Sequence, residues 1–171
     1  MAKLILKPGR DKSLRRRHPW IFSGAVARVE GSPQAGDTVA VADAQGTFLA
    51  WAAYNGRSQI AARVWSWDGA DRVDAAFFHR RIAAAVAARD HPDLDPTCCR
   101  LVHGESDGLP GVIADRYGDT VVLQLSTAGA ERWREEIADA FLGLPGVVRV
   151  FERSDADVRT LEGLAARVGV L

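Results

Sequence analysis

Three groups of residues have side chains and spacings that could do chemistry. The first is the basic run Arg10, Lys12, Arg15, Arg16, Arg17 and His18, which leads directly into Pro19-Trp20-Ile21-Phe22. Guanidinium groups pair with phosphate oxygens in a bidentate way and stack on bases, and a Trp or His ring offers a surface for an unpaired base, so this combination suits RNA. The arginines are read as the binding residues; Trp20 and Phe22 are read as anchors of the core. The second group is the hairpin tip Tyr54-Asn55-Gly56-Arg57-Ser58. Turn chemistry alone accounts for Asn55-Gly56, which leaves Arg57 and Tyr54 as further RNA candidates.

The third group is acidic. Glu105, Asp107, Asp115 and Asp119 stand among the glycines of the run from Arg100 to Asp119, including Gly108 and Gly111. Paired carboxylates could hold a cation or act as acid and base, yet the spacing matches no calcium loop and nothing beyond His103 and Ser106 supports a nucleophile. Acids beside glycines more often cap turns, so Glu105, Asp107, Gly108, Gly111 and Asp115 are assigned structural roles. No catalytic residue and no metal ligand is assigned. The four histidines, His18, His79, His91 and His103, are scattered, and the adjacent Cys98 and Cys99 lack the spaced partners of a zinc site, so they are read as reduced and structural. Neither a glycine-rich dinucleotide turn nor a P-loop occurs, so no nucleotide cofactor is expected in this chain.

The elements that must position these residues follow from pattern and charge. The 171 residues are 47% hydrophobic and 26% charged with no net charge, the composition of a globular protein. No apolar run reaches membrane-spanning length and no signal peptide is recognisable, so a cytoplasmic chain with no membrane contact is expected. The zero balance hides an asymmetry: residues 1–73 hold 11 Lys and Arg against 6 Asp and Glu, and residues 74–171 hold 11 against 16. A basic half joined to an acidic half suggests that the first meets a polyanion.

In the basic half, residues 4–6, 24–29, 38–42, 47–54 and 60–67 read as short strands separated by turn signals, which predicts a small barrel. In the acidic half, an amphipathic helix over 74–89, capped by Asp71 or Asp74, is followed by a linker at 92–96. Strands near Leu101 and at 112–117 and 121–125, a helix over 128–142 and a strand at 147–151 then predict a small α+β domain.

The run Arg16-Arg17-His18-Pro19-Trp20-Ile21-Phe22-Ser23-Gly24-Ala25 resembles the opening of the PUA domain in the S-adenosylmethionine-dependent methyltransferases that modify cytosine C5 of large-subunit ribosomal RNA. Tyr54-Asn55, Ser58-Gln59-Ile60 and Arg63 resemble the later hairpin of that domain. Gly104-Glu105-Ser106-Asp107-Gly108-Leu109-Pro110-Gly111 is similar to the central domain of the same family, and Arg153-Ser154-Asp155 and Glu162-Gly163-Leu164 continue the likeness. The resemblance implies a mixed α/β chain, with a PUA-type barrel over 1–73 and an α+β domain over 74–171. It also implies that the Rossmann-like methyltransferase domain, with its S-adenosylmethionine site and catalytic cysteine, would follow Leu171 and is absent here. The implied partners are ribosomal RNA and that missing domain, with a homodimer left open, and this chain alone is not the enzyme. The rival reading is a free-standing RNA-binding module; an acid/base enzyme built on Glu105, Asp107 and Asp115 is a third.

Overall fold

The computed structural model describes residues 2–92 and 95–171. Of the linker expected at 92–96, Asp93 and Leu94 therefore lie outside the described residues. The chain begins with β1 (Lys3–Leu6), the short α1 (Lys12–Arg15) and β2 (Trp20–Phe22), followed by β3 (Val26–Glu30), β4 (Thr38–Ala42), β5 (Phe48–Tyr54) and β6 (Ile60–Ser66). These six strands form one sheet in the order β2-β6-β5-β4-β1-β3. Next come α2 (Ala75–Ala87), β7 (Cys98–His103), β8 (Val112–Tyr117) and β9 (Thr120–Leu125), then α3 (Ala128–Arg132), α4 (Arg134–Leu142), β10 (Arg149–Ser154), α5 (Val158–Leu161) and β11 (Arg167–Val170). The second sheet runs β11-β10-β9-β8-β7.

This architecture corrects the expected fold class. The barrel does not close: among the described residues β2 pairs only with β6 and β3 only with β1, so both remain edges of an open half-barrel. Parallel pairing of β1 with β4, together with antiparallel pairing to β3, sets this order. Alternation within a strand cannot reveal it, because the periodicity names a buried face and not a neighbour. The α+β reading of the second half gives way as well. β9 and β10 are parallel, joined through the α3–α4 crossover, so the sheet is mixed, with α2 packed on α4 and β7.

Local chemistry explains most of the elements. Asp74, and not Asp71, caps α2, its carboxylate accepting from the Phe77 N–H at 3.0 Å. Thr127 caps α3 in the same way, with Oγ1 accepting from Ala130 N at 3.2 Å. The single helix expected over 128–142 breaks at Trp133, whose backbone leaves the helical region. The Trp133 ring instead packs on Phe78, with centroids 5.1 Å apart.

Strands β5 and β6 are buried on both faces, and this joins the two halves. Ala50, Ala52, Ala62 and Val64 face a core with Leu4, Leu6, Leu14, Ile21, Val39 and Val41. The alternate positions Ala53 and Trp65 belong to the other core, with Phe77, Phe78, Leu123 and Phe141. Trp65 meets Phe78 edge-on at 5.3 Å, a geometry that contributes about 0.5–1.5 kcal/mol beyond the buried area. Gly129 is required here, since a Cβ at that position would overlap Ala53 and lie 3.0 Å from the Trp65 ring.

At the edge of this shared core sits a buried polar cluster. Glu162, 3% exposed, takes Arg63 Nη1 on Oε1 at 2.9 Å and Asn55 Nδ2 on Oε2 at 2.9 Å, and Asn55 also reaches the Glu162 carbonyl at 3.0 Å. Burial alone would raise the Glu162 carboxyl, but the Asn55 hydrogen bond and the Arg63 charge outweigh it and hold the group below its ordinary 4.5. A depressed carboxyl stabilises the fold fully above its unfolded pKa, and the contribution is lost as pH falls through the folded one. Urea titrations should therefore show stability falling with acid below about pH 4.5, with a shallower acid limb for Glu162→Gln. Glu162→Ala, which leaves Arg63 buried without its partner, should cost about 3–5 kcal/mol at neutral pH.

Candidate nucleic-acid interface

The basic segment forms a loop, one turn of helix and an edge strand, and it presents most of its side chains to solvent. Residues on one face of a strand recur every second position. His18, Trp20 and Phe22 thus share the outward face of β2 and its approach, while Ile21 points into the core at 3% exposure. Trp20 remains 37% and Phe22 51% exposed, which overturns their reading as core anchors. The three rings form an edge-to-face row, with His18 5.8 Å from Trp20 and Trp20 6.4 Å from Phe22. His18 Nδ1 accepts from the Trp20 N–H at 3.2 Å and orders the approach to the strand.

The cations around this row are not equivalent. Arg10, Lys12 and Arg16 are exposed and form no ion pair among the described residues. Arg10 lines a shallow recess with Leu6, Trp20 and Phe22. Arg15 instead pairs with Asp11 and, at 2.9 Å, with Asp43. Asp43 already holds the β4–β5 turn by accepting from Gln45 N and Thr47 N, so Arg15 ties α1 to that turn. Its hydrogen bond holds the Asp11 carboxyl below its ordinary value. Arg17 sits at φ 66° with its guanidinium 5.3 Å from the centre of the Trp67 ring. At the β5–β6 hairpin, Tyr54 is half-buried against the first core, and Arg57 is exposed with its stem along Gly163.

The acidic residues are engaged one by one. Arg89 grips Asp107 with two hydrogen bonds of 3.1 and 2.7 Å, and Asp107 also accepts from the His103 N–H at 2.5 Å. Arg100 grips Asp115 at 2.8 and 3.0 Å and contacts His103 Nδ1 at 3.1 Å. Asp119 takes the Thr120 hydroxyl at 3.0 Å. Gly108 closes the 3₁₀ turn Gly104–Asp107 in the left-handed region, and Gly111 (φ 79°) leaves no room for a Cβ against Thr127. Glu105 differs from its neighbours: it leaves the cluster and accepts from Trp20 Nε1 at 2.7 Å. The structure thus brings Glu105 to the aromatic row, a juxtaposition that residues 85 apart in sequence do not disclose.

Among the described residues no three His, Cys, Asp or Glu side chains gather to hold a metal ion, and no helix is long and apolar enough to cross a membrane. Cys98 and Cys99 are free thiols. The crossover that joins the parallel strands β9 and β10 does not fit S-adenosylmethionine. The β9–α3–α4–β10 crossover has no glycine-rich turn, and two of its first helix N–H groups are taken, Ala130 N by Thr127 Oγ1 and Ala128 N by Glu162 Oε2 at 3.3 Å.

Comparison with known proteins places this geometry. Residues 4–67 match the family model of a PUA-like domain. The chain is 50% identical over 174 aligned residues to ribosomal RNA large subunit methyltransferase I of Erwinia tasmaniensis, and 47% identical to proteins of the same name from Pseudoalteromonas translucida and Escherichia coli O139:H28. The alignments span 99% of this chain but 43% of each relative. Among solved structures, a protein designated a methyltransferase and complexed with SAH superposes with a TM-score of 0.79 at 20% identity, covering 100% of this chain and 42% of that one. A protein designated a SAM-dependent methyltransferase from Streptococcus mutans superposes with a TM-score of 0.77 at 21% identity, covering 99% and 43%. The chain spans less than half of either neighbour. The likeness shows the fold, an open PUA-like sheet followed by a mixed sheet, which replaces the expectation of a barrel followed by an α+β domain.

The paired hydrogen bonds of Asp107 give a direct test. Asp107→Ala removes both Arg89 hydrogen bonds and the acceptor of the His103 N–H, and should lower stability by about 1–3 kcal/mol in urea denaturation.

Proposed function

We propose that this chain is the RNA-recognising part of an S-adenosylmethionine-dependent methyltransferase acting on cytosine C5 of 23S ribosomal RNA. In this reading residues 1–73 form the RNA-binding domain and residues 74–171 a central domain that positions a catalytic domain in the longer protein. The observation that carries it is the exposed row His18–Trp20–Phe22 on the edge strand of the PUA-like sheet, flanked by guanidinium groups. A base can stack on such rings while the phosphates meet the cations, which is how single-stranded nucleic acid is held without a deep groove. The names of the relatives support ribosomal RNA as the polymer and methyl transfer as the reaction of the whole protein.

Arg10, Lys12, Arg16, Arg17 and His18 are the first to meet RNA in this reading. Arg57 and Tyr54 extend the surface at the hairpin, and Arg15 acts chiefly by fixing α1 against the β4–β5 turn. The second half, with its excess of acids, lies outside the phosphate path because like charge repels the polymer. S-adenosylmethionine belongs to the longer protein, not to residues of this chain.

The test is a salt series. The 171-residue chain should bind single-stranded fragments of 23S ribosomal RNA with affinity that falls as salt rises. Arg10, Lys12 and Arg16 changed together to Ala should weaken binding and flatten the log–log slope by about 0.7 for each phosphate that is no longer neutralised. Unchanged affinity and slope in a variant still folded by circular dichroism would refute this surface.

A further inference from the structure

The exposed Trp20 ring is held from the other half of the molecule. Its Nε1–H donates to Glu105 Oε1 at 2.7 Å, while the His18 and Phe22 rings stand nearly perpendicular to it, at 86° and 82°. Glu105 itself is fixed. It lies in the 3₁₀ turn Gly104–Asp107, which is anchored by Asp107 through Arg89 and the His103 N–H and closed by the Gly108 and Leu109 N–H groups. A Trp on an edge strand with more than a third of its surface in water would otherwise sample several rotamers. A hydrogen bond to a carboxylate is strong enough to select one of them.

We propose that Glu105 is a positioning residue for a site that stacks one unpaired nucleobase of single-stranded RNA on Trp20. The inference rests on the RNA-binding reading above and adds to it a residue from the acidic half. Holding the indole in one orientation removes an ordering cost that base stacking would otherwise carry, so affinity is gained by pre-organisation. The Glu105 charge has a second effect. It repels phosphate, so the sugar–phosphate backbone runs on the side of Arg10 and Arg16 while the base turns toward Trp20. The two halves thereby build one binding site, although only the first carries the cations.

Two substitutions separate the hydrogen bond from the charge. Glu105→Gln and Glu105→Ala both remove the charge, but the Gln amide oxygen still accepts from the indole N–H. Binding of a labelled single-stranded ribosomal RNA oligomer to the 171-residue chain, read by fluorescence anisotropy, should be about two- to tenfold weaker for the Ala variant than for the Gln variant. In a Trp20→Phe background, where a ring remains but no N–H, that gap should close. An abasic nucleotide scanned along the oligomer should close it at one position. Without RNA, the ¹⁵N–¹H signal of the Trp20 indole should shift in Glu105→Ala and stay near its native position in Glu105→Gln. Equal affinities for the Gln and Ala variants, or a gap that persists with Trp20→Phe, would overturn the proposal and leave the arginine-dependent reading standing. A native chain that binds no RNA at all would overturn both.

Discussion

A buried carboxylate determines how the two sheets meet. Glu162 collects Arg63 from strand β6, Asn55 from the β5–β6 hairpin and the Ala128 N–H from the start of α3, at a position almost without solvent. Taking that charge out of water costs several kcal/mol, and only a full set of donors repays it. The partners come from segments about 100 and 34 residues away in sequence, so the cluster is satisfied in one relative placement of the halves. Once they are so placed, Gly129 passes against Ala53 and Trp65, and the second core closes over the back of the half-barrel. The junction combines apolar burial of Ala53, Trp65 and Phe78 with a polar cluster whose donors come from both halves.

That placement reaches the edge strand β2 and its aromatic row. β2 is hydrogen-bonded to β6, with Trp20 opposite Arg63, so the strand that carries the aromatic row is paired with the strand that carries the Glu162 partner. A shift between the halves would displace Glu105 from Trp20 and loosen the row. The same logic sorts the arginines by their neighbours: Arg63 and Arg159 are buried structural cations, Arg15 ties α1 to a turn, and Arg10 and Arg16 remain available to a polyanion. Formal charge counts all of these alike; the fold does not.

Much of the local structure was legible in the sequence by itself. Alternation placed strands at 4–6, 38–42, 47–54 and 60–67 close to β1, β4, β5 and β6, and helical spacing behind an acidic cap placed α2. These signals are local, since a strand or helix declares its period within a few residues. The short β2 and β11 were missed, as was the break at Trp133, whose ring packs on Phe78. Asn55 and Glu162 were visible only as parts of a family likeness, and Asn55 alone reads as an ordinary turn residue.

Tertiary structure decided the rest. The half-barrel stays open because β1 lies between β3 and β4, and the second sheet is mixed because β10 returns parallel to β9; no periodicity encodes either pairing. Trp20 and Phe22 are exposed while Ile21 between them is buried, an assignment that depends on which face of an edge strand has a neighbour. The acids of residues 105–119 look alike in sequence, yet Asp107 and Asp115 are locked by arginines while Glu105 reaches the indole of Trp20. Sequence determined residue chemistry and local period, because both are properties of neighbours along the chain. Exposure, pairing and partnership are properties of neighbours in space, and only the folded chain brings those together.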